Sequence, residues 1–466
     1  MFIPILYSLL TEVAGFSSLV VCDILPVVNF GWMNILGLCI SMTITFLFFP
    51  PALLLMPKPP AEKEKEFGLK LTSLFADLAE KRRPAIFACS LLVAAVTVAG
   101  CLHLEVENSF VNYFKKSTEI YQGMQYVDQN LGGTTPLDIV LDFKPSEVAQ
   151  AKAAAPKDEF SDFEEGREED AGKYWFTSGK LELINKVHDY AQGLESSGKV
   201  LSLGTFWKIV RSANGGKDPD DLTLALFFSQ IPEKYREAIV DPYASVENNQ
   251  ARISMRIKDS LKDLRRDALL KKIRADLIGL GLKPDQFRLT GPMVLYNNML
   301  QSLYRSQIQT IGYTLLTLTA MLLVLFRSLR LALIGIAPNL LSASIILGVL
   351  GLGKVPLDMM TITIVAIAMG VAVDSAIQYL YRFRNDFKAD PNYVRTMRRC
   401  NASIGNAIYY SQITIVIGYS FLMLSKFIPT ILFGFLSALA MAVSLVASLT
   451  LLPALVILFK PFGPEK

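Results

Sequence analysis

The chain has 466 residues, of which 52% are hydrophobic and 19% are charged, and its formal net charge is +4. So few charged residues do not cover the surface of a soluble protein of this length, and so small a net charge is not typical of a nucleic-acid-binding protein. The composition therefore predicts a membrane protein with no nucleic-acid partner.

Eight apolar stretches are each long enough to cross about 30 Å of hydrocarbon as a helix. They lie near 2–22, 29–56, 84–103, 306–326, 331–352, 358–381, 403–424 and 429–459. The first stretch has neither a basic leader nor a small-residue cleavage site, so it is predicted to be a membrane span and not a signal peptide.

A polar block at 104–305 separates the third predicted span from the fourth. Within this block, the order strand, helix, strand occurs twice, at 137–143, 178–196, 199–205, 251–257, 261–281 and 287–291. This order predicts an α+β domain built from ferredoxin-like βαβ units. The acidic stretch at 158–170 is interpreted as a solvated loop, with cation or partner binding as the alternative.

Lysine and arginine residues in the short connections predict the orientation of the spans, because such residues remain on the cytoplasmic side. They concentrate at 63–83, 327–330, 382–399 and in the C-terminal tail. Eight spans with both termini in the cytoplasm place all these connections on one side and the polar block outside. The predicted architecture is therefore a polytopic α-helical membrane protein with an extracytoplasmic α+β domain.

The beginning of the chain repeats its end. Shifted by 403 residues without a gap, residues 8–31 align with residues 411–434, and the match continues to Pro50 over Pro453. Identical residues are found at Ser8, Thr11, Gly15, Pro26, Phe30 and Gly31. Because membrane transporters are commonly built from duplicated halves, the first two spans are predicted to be the last two of a first half. The remaining four spans and one outside domain of that half are expected upstream.

One carboxylate, Asp374, lies inside the otherwise apolar sixth span. A central Asp costs roughly 2.5–3.5 kcal/mol on membrane-insertion scales, so a residue in this position usually has a function. Ala366, Gly370, Asp374 and Gln378 are four residues apart and share one face of a helix, where the small residues let another helix approach closely. Asp374 is therefore predicted to face the helical bundle, either as a proton relay or as a hydrogen-bonding residue between helices.

Further polar residues are candidates for a proton path near Asp374. Ser411 and Thr414 in the seventh span are predicted either to line such a path or to form simple hydrogen bonds between helices. Glu12 in the first span is a second intramembrane carboxylate, at a position that the repeat fills with Ile415. It is either a further relay residue or lies near the cytoplasmic interface.

No arrangement of residues indicates an enzyme, a cofactor or a metal site. The two histidines, His103 and His188, are far apart, and the five cysteines are scattered, mostly in apolar stretches. The sequence GVLGLGK at 348–354 matches the start of a phosphate-binding P-loop, but Val355 follows it in place of Ser or Thr. This stretch is interpreted as a turn between helices, with no role in ATP binding.

Several motifs, in this order along the chain, resemble the RND superfamily of exporters. They are FPPAL (49–53), residues 110–140, residues 289–310, residues 325–384 and LPAL (452–455). The resemblance is to the MMPL- and Patched-like branch, which has a sterol-sensing-type helical bundle, and it covers nearly the whole chain. It implies twelve spans and two outside porter domains in a complete transporter, of which this chain would hold the fifth to twelfth spans and the second porter domain.

The resemblance also implies a function, namely export of lipids or other hydrophobic solutes driven by the proton gradient. It implies that Asp374, in the pattern GxxxD, is the relay acid. Ser375, a further candidate relay residue, follows it at a position where many relatives have an aromatic or acidic residue. The expected partners are a lipid or other hydrophobic substrate and either the missing N-terminal half or further copies of this chain. The alternative function is a sterol-sensing-type lipid-binding or regulatory membrane protein that does not pump.

The predicted divisions of the chain follow from the spans and the repeat. They are 1–57 for the last two helices of a first half, 58–83 for a cytoplasmic linker, 84–103 for one transmembrane helix, 104–305 for the porter domain, 306–460 for a five-helix bundle and 461–466 for a cytoplasmic tail. The expected location is the inner (cytoplasmic) membrane of a bacterium, where the chain is a multi-pass integral protein.

Overall fold

The computed structural model of the chain divides into two compact units. One consists of Met1–Asn108 and Met299–Lys466, and the other of Ser109–Asn298, which falls within the predicted porter domain. The structure describes residues 2–22, 25–55, 66–104, 110–143, 175–221, 223–224, 226, 232–261, 264–355 and 359–465. The predicted acidic loop at 158–170 lies outside the described residues.

Among the described residues, helices predominate and strands occur only in the second unit. In chain order the elements are α1 (Phe2–Val20), α2 (Leu25–Leu55), α3 (Glu66–Lys81), α4 (Arg83–Cys101), α5 (Glu119–Asn130), β1 (Thr135–Asp142), α6 (Ser178–Gly193), β2 (Ser197–Leu201), α7 (Leu203–Ala213), α8 (Glu233–Ile239), β3 (Ala244–Ser245), β4 (Gln250–Ile257), α9 (Arg266–Gly279), β5 (Phe287–Thr290), α10 (Pro292–Phe326), α11 (Leu329–Leu352), α12 (Met359–Ala389), α13 (Tyr393–Ala402), α14 (Ile404–Phe421), α15 (Ile428–Leu449) and α16 (Leu451–Phe459). The stretch predicted as a linker, 58–83, thus contains the helix α3.

Seven helical segments in the described part of the chain are long and apolar enough to cross a membrane. They are Leu25–Leu55, Arg83–Cys101, Ile308–Phe326, Leu329–Leu352, Thr363–Ala389, Ile404–Leu424 and Ile428–Phe459. The first of the eight predicted spans is a shorter apolar helix, Ile5–Val20, within α1. Among the seven, Thr363–Ala389 is the most enclosed, because α12 packs against α1, α11, α13, α14 and α15.

The internal repeat is also present in the packing of the helices. A methyl group added at Gly31 would lie 2.9 Å from the carbonyl oxygen of Phe16, and one added at the equivalent Gly434 would lie 2.6 Å from that of Tyr419. The rings of Phe16 and Tyr419 also make the same edge-to-face contact with the phenylalanine that precedes each glycine, at centroid distances of 6.3 and 5.9 Å. The helix pairs α1–α2 and α14–α15 are therefore two copies of one packing unit.

The second unit contains an antiparallel sheet in the order β2-β4-β1-β5, with the short β3 also paired to β4. β1 pairs with β4 along its whole length, from Thr135 opposite Ile257 to Asp142 opposite Gln250. In each of the units β1-α6-β2 and β4-α9-β5, the two strands are separated by one strand of the other unit. This interleaving is the ferredoxin-like arrangement that the sequence predicts.

Alternation along the strands determines which face of the sheet is covered. Every second residue of β1 from Leu137 onward, every second residue of β4 and one stripe of α6 are at most 1% exposed. These residues are Leu137, Ile139, Leu141, Ala251, Ile253, Met255, Ile257, Leu181, Ile184 and Val187. These side chains belong to one hydrophobic core that also includes residues of α7 and α9. The second unit therefore has a core of its own.

Asp128, near the end of α5, connects the segment just before β1 to the segment just after β4. Its Oδ1 accepts hydrogen bonds from the backbone N–H and the hydroxyl of Thr134, at 2.9 and 2.6 Å, and from the N–H of Asp259 at 2.9 Å. Its Oδ2 accepts one from the N–H of Ser260 at 2.8 Å. Burial alone would raise the pKa of this carboxyl, but the hydrogen bonds from Ser260, Thr134 and Asp259 together outweigh it and hold the pKa below its ordinary value.

We expect Asp128→Ala to destabilise the second unit by about 3 kcal/mol or more, because each hydrogen bond to a charged group contributes about 1.5–3 kcal/mol. Since folding lowers the pKa of Asp128, its contribution is present above the ordinary pKa of the carboxyl and is lost as the pH falls through the folded-state pKa. Fluorescence of the buried Trp175 and Trp207, followed during unfolding at about pH 7 and about pH 3, measures both effects.

The matched control is Asp218→Asn, because this carboxylate forms a solvent-exposed ion pair with Arg211. Its effect on the free energy of unfolding should stay within about 0.5 kcal/mol. Equal losses in the Asp128 and Asp218 variants would contradict the role given to Asp128.

Candidate functional site

The candidate site is built around Asp374, the central residue of α12. Ala366 and Gly370 on the same face are buried, whereas Asp374 and Gln378 are partly exposed. The structure thus brings the four residues of the predicted stripe onto one face, and the helix that packs against this face is α1.

Small residues let α1 and α12 approach to backbone contact. A methyl group added at Gly15 would lie 3.0 Å from the Cα of Gly370 and 3.5 Å from the carbonyl oxygen of Ala366. A methyl group added at Gly370 would lie 3.3 Å from the Cα of Gly15. The carboxylate of Asp374 therefore lies one turn from the closest approach of the two helices.

Two uncharged groups donate hydrogen bonds to the carboxylate of Asp374. The hydroxyl of Ser8 on α1 donates to Oδ1, and the amide of Gln378, one turn further along α12, donates to Oδ2 at 2.8 Å. In the described part of the chain, no lysine, arginine or histidine forms an ion pair with Asp374. The charged form of this group is therefore stabilised by neutral donors and not by a fixed cation.

Glu12 provides a second carboxylate in the same region. It lies in the middle of α1, one turn from Ser8, and its Cα is 3.7 Å from the position of a methyl group added at Gly370. Two acidic residues thus lie near the point where α1 crosses α12, Glu12 beside Gly370 and Asp374 one turn beyond it.

The other three predicted relay residues are not hydrogen-bonded to Asp374 among the described residues. Ser375 is 2% exposed and accepts a hydrogen bond at 2.8 Å from the amide of Gln412, so it joins α12 to α14. Ser411 and Thr414 lie on an exposed face of α14, and the hydroxyl of Thr414 donates to the carbonyl of Tyr410.

Ser8 is the partner of Asp374 that sequence reasoning did not identify. The repeat contained the necessary signal, because Ser8 is the equivalent of Ser411, which is a predicted relay residue. What the repeat alone does not show is that α1 packs against α12. Across the residues that the structure describes, no three His, Cys, Asp or Glu side chains are grouped so that they could hold a metal ion.

Two comparisons of sequence identify relatives of this chain. The profile of the MMPL family matches residues 231–466, which is half of the chain. A membrane protein of Methanocaldococcus jannaschii is 22% identical over 403 residues, which cover 84% of this chain and 95% of that protein. A membrane protein of Streptomyces coelicolor is 33% identical over 95 residues, or 20% of this chain and 13% of that protein.

Solved structures share the fold at low sequence identity. The hedgehog release protein Disp from the water bear Hypsibius dujardini superposes with a TM-score of 0.57 at 14% identity, over 99% of this chain and 58% of that one. A heavy metal efflux pump superposes with a TM-score of 0.55 at 12% identity, over 98% of this chain and 58% of that one. The chain thus spans little more than half the length of either protein. On the match of its family profile, the chain belongs to the MMPL family of transporter-type membrane proteins, and it has an RND-like fold.

Proposed function

We propose that the chain is part of an exporter of lipids or other hydrophobic solutes that is driven by the proton gradient, with Asp374 as the proton-binding group. The observation that carries this proposal is a carboxylate at the centre of the most enclosed span, held by two neutral donors. Such a group can accept and release a proton without breaking an ion pair.

The packing of α1 on α12 supports a mechanism for this coupling. The charged Asp374 requires the donors Ser8 and Gln378, whereas the protonated carboxyl carries no charge and can itself donate a hydrogen bond. Because Gly15 and Gly370 touch along the same face, a weaker attachment at Asp374 lets α1 and α12 shift relative to each other. The proton gradient supplies about 1.4 kcal/mol per pH unit and about 2.3 kcal/mol per 100 mV for this change.

We propose Glu12 as a second relay carboxylate and Ser375, Ser411 and Thr414 as the lining of the path toward α14. The position of Glu12 beside Gly370 supports its part, since it lies far from both ends of α1. The hydrogen bond between Ser375 and Gln412 supports a polar connection between α12 and α14. In the proposed orientation, both termini are in the cytoplasm, the membrane is a bacterial inner membrane, and the second unit is outside.

Hydrogen bonds connect α12 to α13 and α3, two helices that lie between membrane spans along the chain. The hydroxyl of Tyr379 donates to Oδ1 of Asn401 on α13 at 2.7 Å, and the amide of Asn401 donates to the carbonyl of Thr72 on α3 at 3.3 Å. All three residues are fully buried. We propose that α3 and α13 move with α12 when Asp374 changes its protonation state.

The first prediction from this mechanism concerns Ser8→Ala. It removes a donor to the charged form of Asp374, and such a bond contributes about 1.5–3 kcal/mol, so proton-driven transport should fall by about tenfold or more. Ser17→Ala is the matched control, because the Ser17 hydroxyl donates only to the carbonyl of Val13 within α1. Uptake of a fluorescent phospholipid measured in both variants tests the difference, and equal activities would contradict the role of Ser8.

The proposed function itself is tested in vesicles of the native membrane, where the chain is present with its own partners. A fluorescent phospholipid should be transported when a pH gradient is imposed, and a protonophore should stop the transport. Transport that continues without a gradient would contradict proton coupling. Binding of the lipid without transport under either condition would favour the sterol-sensing-type alternative.

A further inference from the structure

Three aromatic rings form a groove between the end of α12 and the start of α13. Phe383 and Phe387 are one turn apart on α12, and the ring of Tyr393, the first residue of α13, lies 4.4 Å from that of Phe387. Phe383 and Tyr393 are fully buried, and Phe387 is 6% exposed. Because the rings belong to two consecutive helices, the groove exists only while α13 stays against α12.

Residues 460–465, which we call the tail segment, occupy this groove. The ring of Phe462 stacks on that of Phe383 at a centroid distance of 5.4 Å and lies 5.9 Å from that of Phe387. The N–H of Phe462 donates to the hydroxyl of Tyr393 at 2.9 Å, and this hydroxyl donates to the carbonyl of Gly463 at 2.9 Å. One phenylalanine thus joins the end of α16 to both α12 and α13.

The backbone of the tail segment is shaped to bring Phe462 into the groove. Lys460 and Gly463 both have left-handed backbone conformations, with φ of 43° and 110°, and they turn the chain on either side of Phe462. The carboxylate of Glu465 accepts hydrogen bonds from the ammonium of Lys460 and the N–H of Tyr393. Since the ion pair of Lys460 and Glu465 is largely exposed, it contributes little to the attachment, which therefore depends mainly on Phe462.

We propose that the groove is a docking site for a short segment with an aromatic residue, and that the tail segment is its detachable occupant. Phe462 is itself partly exposed, whereas Phe383 and Tyr393 beneath it are fully buried. With Phe462 in place, α13 is held against α12. When Phe462 leaves, these two rings lose their cover and α13 turns away at its first turn. This inference does not depend on the proposed export function.

The other end of α13 has an attachment of its own. Asn401 accepts a hydrogen bond from Tyr379 of α12 and donates one to the carbonyl of Thr72 of α3. Release of the tail segment therefore frees the first half of α13, with Asn401 as the pivot. Met397 lies one turn after Tyr393 and is fully buried, so its side chain should become accessible when the tail segment leaves.

The test measures the oxidation of Met397 to the sulfoxide by hydrogen peroxide in the full chain in detergent, followed by mass spectrometry. Phe462→Ala should raise the rate at Met397 about tenfold or more, because the stacked ring that holds α13 is lost. The rate at Met369, which is fully buried within α12, should not change. A peptide with the sequence of residues 459–465, added at about 1 mM, should restore the protection of Met397. The same peptide with Ala in place of Phe462 should not.

Phe459→Ala is the matched control, because Phe459 ends α16 and is 56% exposed. Its rate at Met397 should equal that of the wild type. Equal rates in the two phenylalanine variants, or no protection by the peptide, would overturn the proposal. If Met369 is oxidised as fast as Met397 in Phe462→Ala, that variant is unfolded. Gly463→Val then decides by the same criteria, because it strains the left-handed backbone of the tail segment and keeps the ring.

Discussion

Asp374→Asn is expected to reduce proton-driven transport by at least about a hundredfold while leaving the chain folded, because the amide does not bind and release a proton in the relevant pH range. The substitution preserves the shape of the side chain and keeps one oxygen that can accept the hydrogen bond from Ser8. Thermal unfolding in detergent should therefore resemble that of the wild type. Transport in native-membrane vesicles with an imposed pH gradient measures the loss.

Asp386→Asn is the control on the same helix. Asp386 lies about three turns beyond Asp374 and forms an ion pair with Arg382 at 3.0 Å, so its loss should change transport and stability only slightly. An Asp374→Asn variant that still transports lipid when a pH gradient is imposed would exclude Asp374 as the relay. A variant that unfolds would show that its hydrogen bonds mainly connect α1 to α12.

The sequence pattern predicts the face on which Asp374 lies but not the partner that covers this face. The spacing of Ala366, Gly370 and Asp374 follows from the 3.6-residue period of a helix, and the structure shows these residues together on one face. The hydrogen-bond donor Ser8, however, is 366 residues away along the chain. Which two spans pack together depends on the tertiary arrangement, and a single amphipathic pattern contains no information about it.

The same limit explains the placement of Ser411 and Thr414. A polar face on α14 is visible in the sequence, but only the structure shows that it is exposed instead of facing Asp374.

The fold of the second unit is easier to predict from the sequence than the packing of the membrane helices. Its strands are short and alternate, its helices have regular stripes, and the order of two strand–helix–strand units restricts the sheet to few topologies. The sequence analysis does not predict α3 and α13, because their many charged residues indicate cytoplasmic connections between spans and hide the helical pattern.

The second large effect is expected where α4 crosses α11. A methyl group added at Gly351 would overlap the carbonyl oxygen of Gly100, and one added at Gly348 would lie 2.8 Å from the Cα of Thr97. Because these neighbours are backbone atoms, a change of side-chain rotamer cannot relieve the overlap. Overpacking that side chains can absorb costs about 1–3 kcal/mol, so Gly351→Ala should destabilise the bundle by at least about 3 kcal/mol.

Gly312→Ala on α10 separates this effect from helix propensity. A methyl group there would meet no atom within 4 Å, and Ala is favoured over Gly in a helix by up to about 1 kcal/mol, so this variant should be as stable as the wild type or more stable. Unfolding in detergent measured for both variants distinguishes the two cases. If Gly351→Ala were tolerated as well as Gly312→Ala, backbone contact between α4 and α11 at Gly351 would be contradicted. If Gly351→Ala unfolds the bundle as expected, Gly351 of the P-loop-like stretch at 348–354 is required for the packing of α11 against α4, which accounts for this glycine without a bound phosphate.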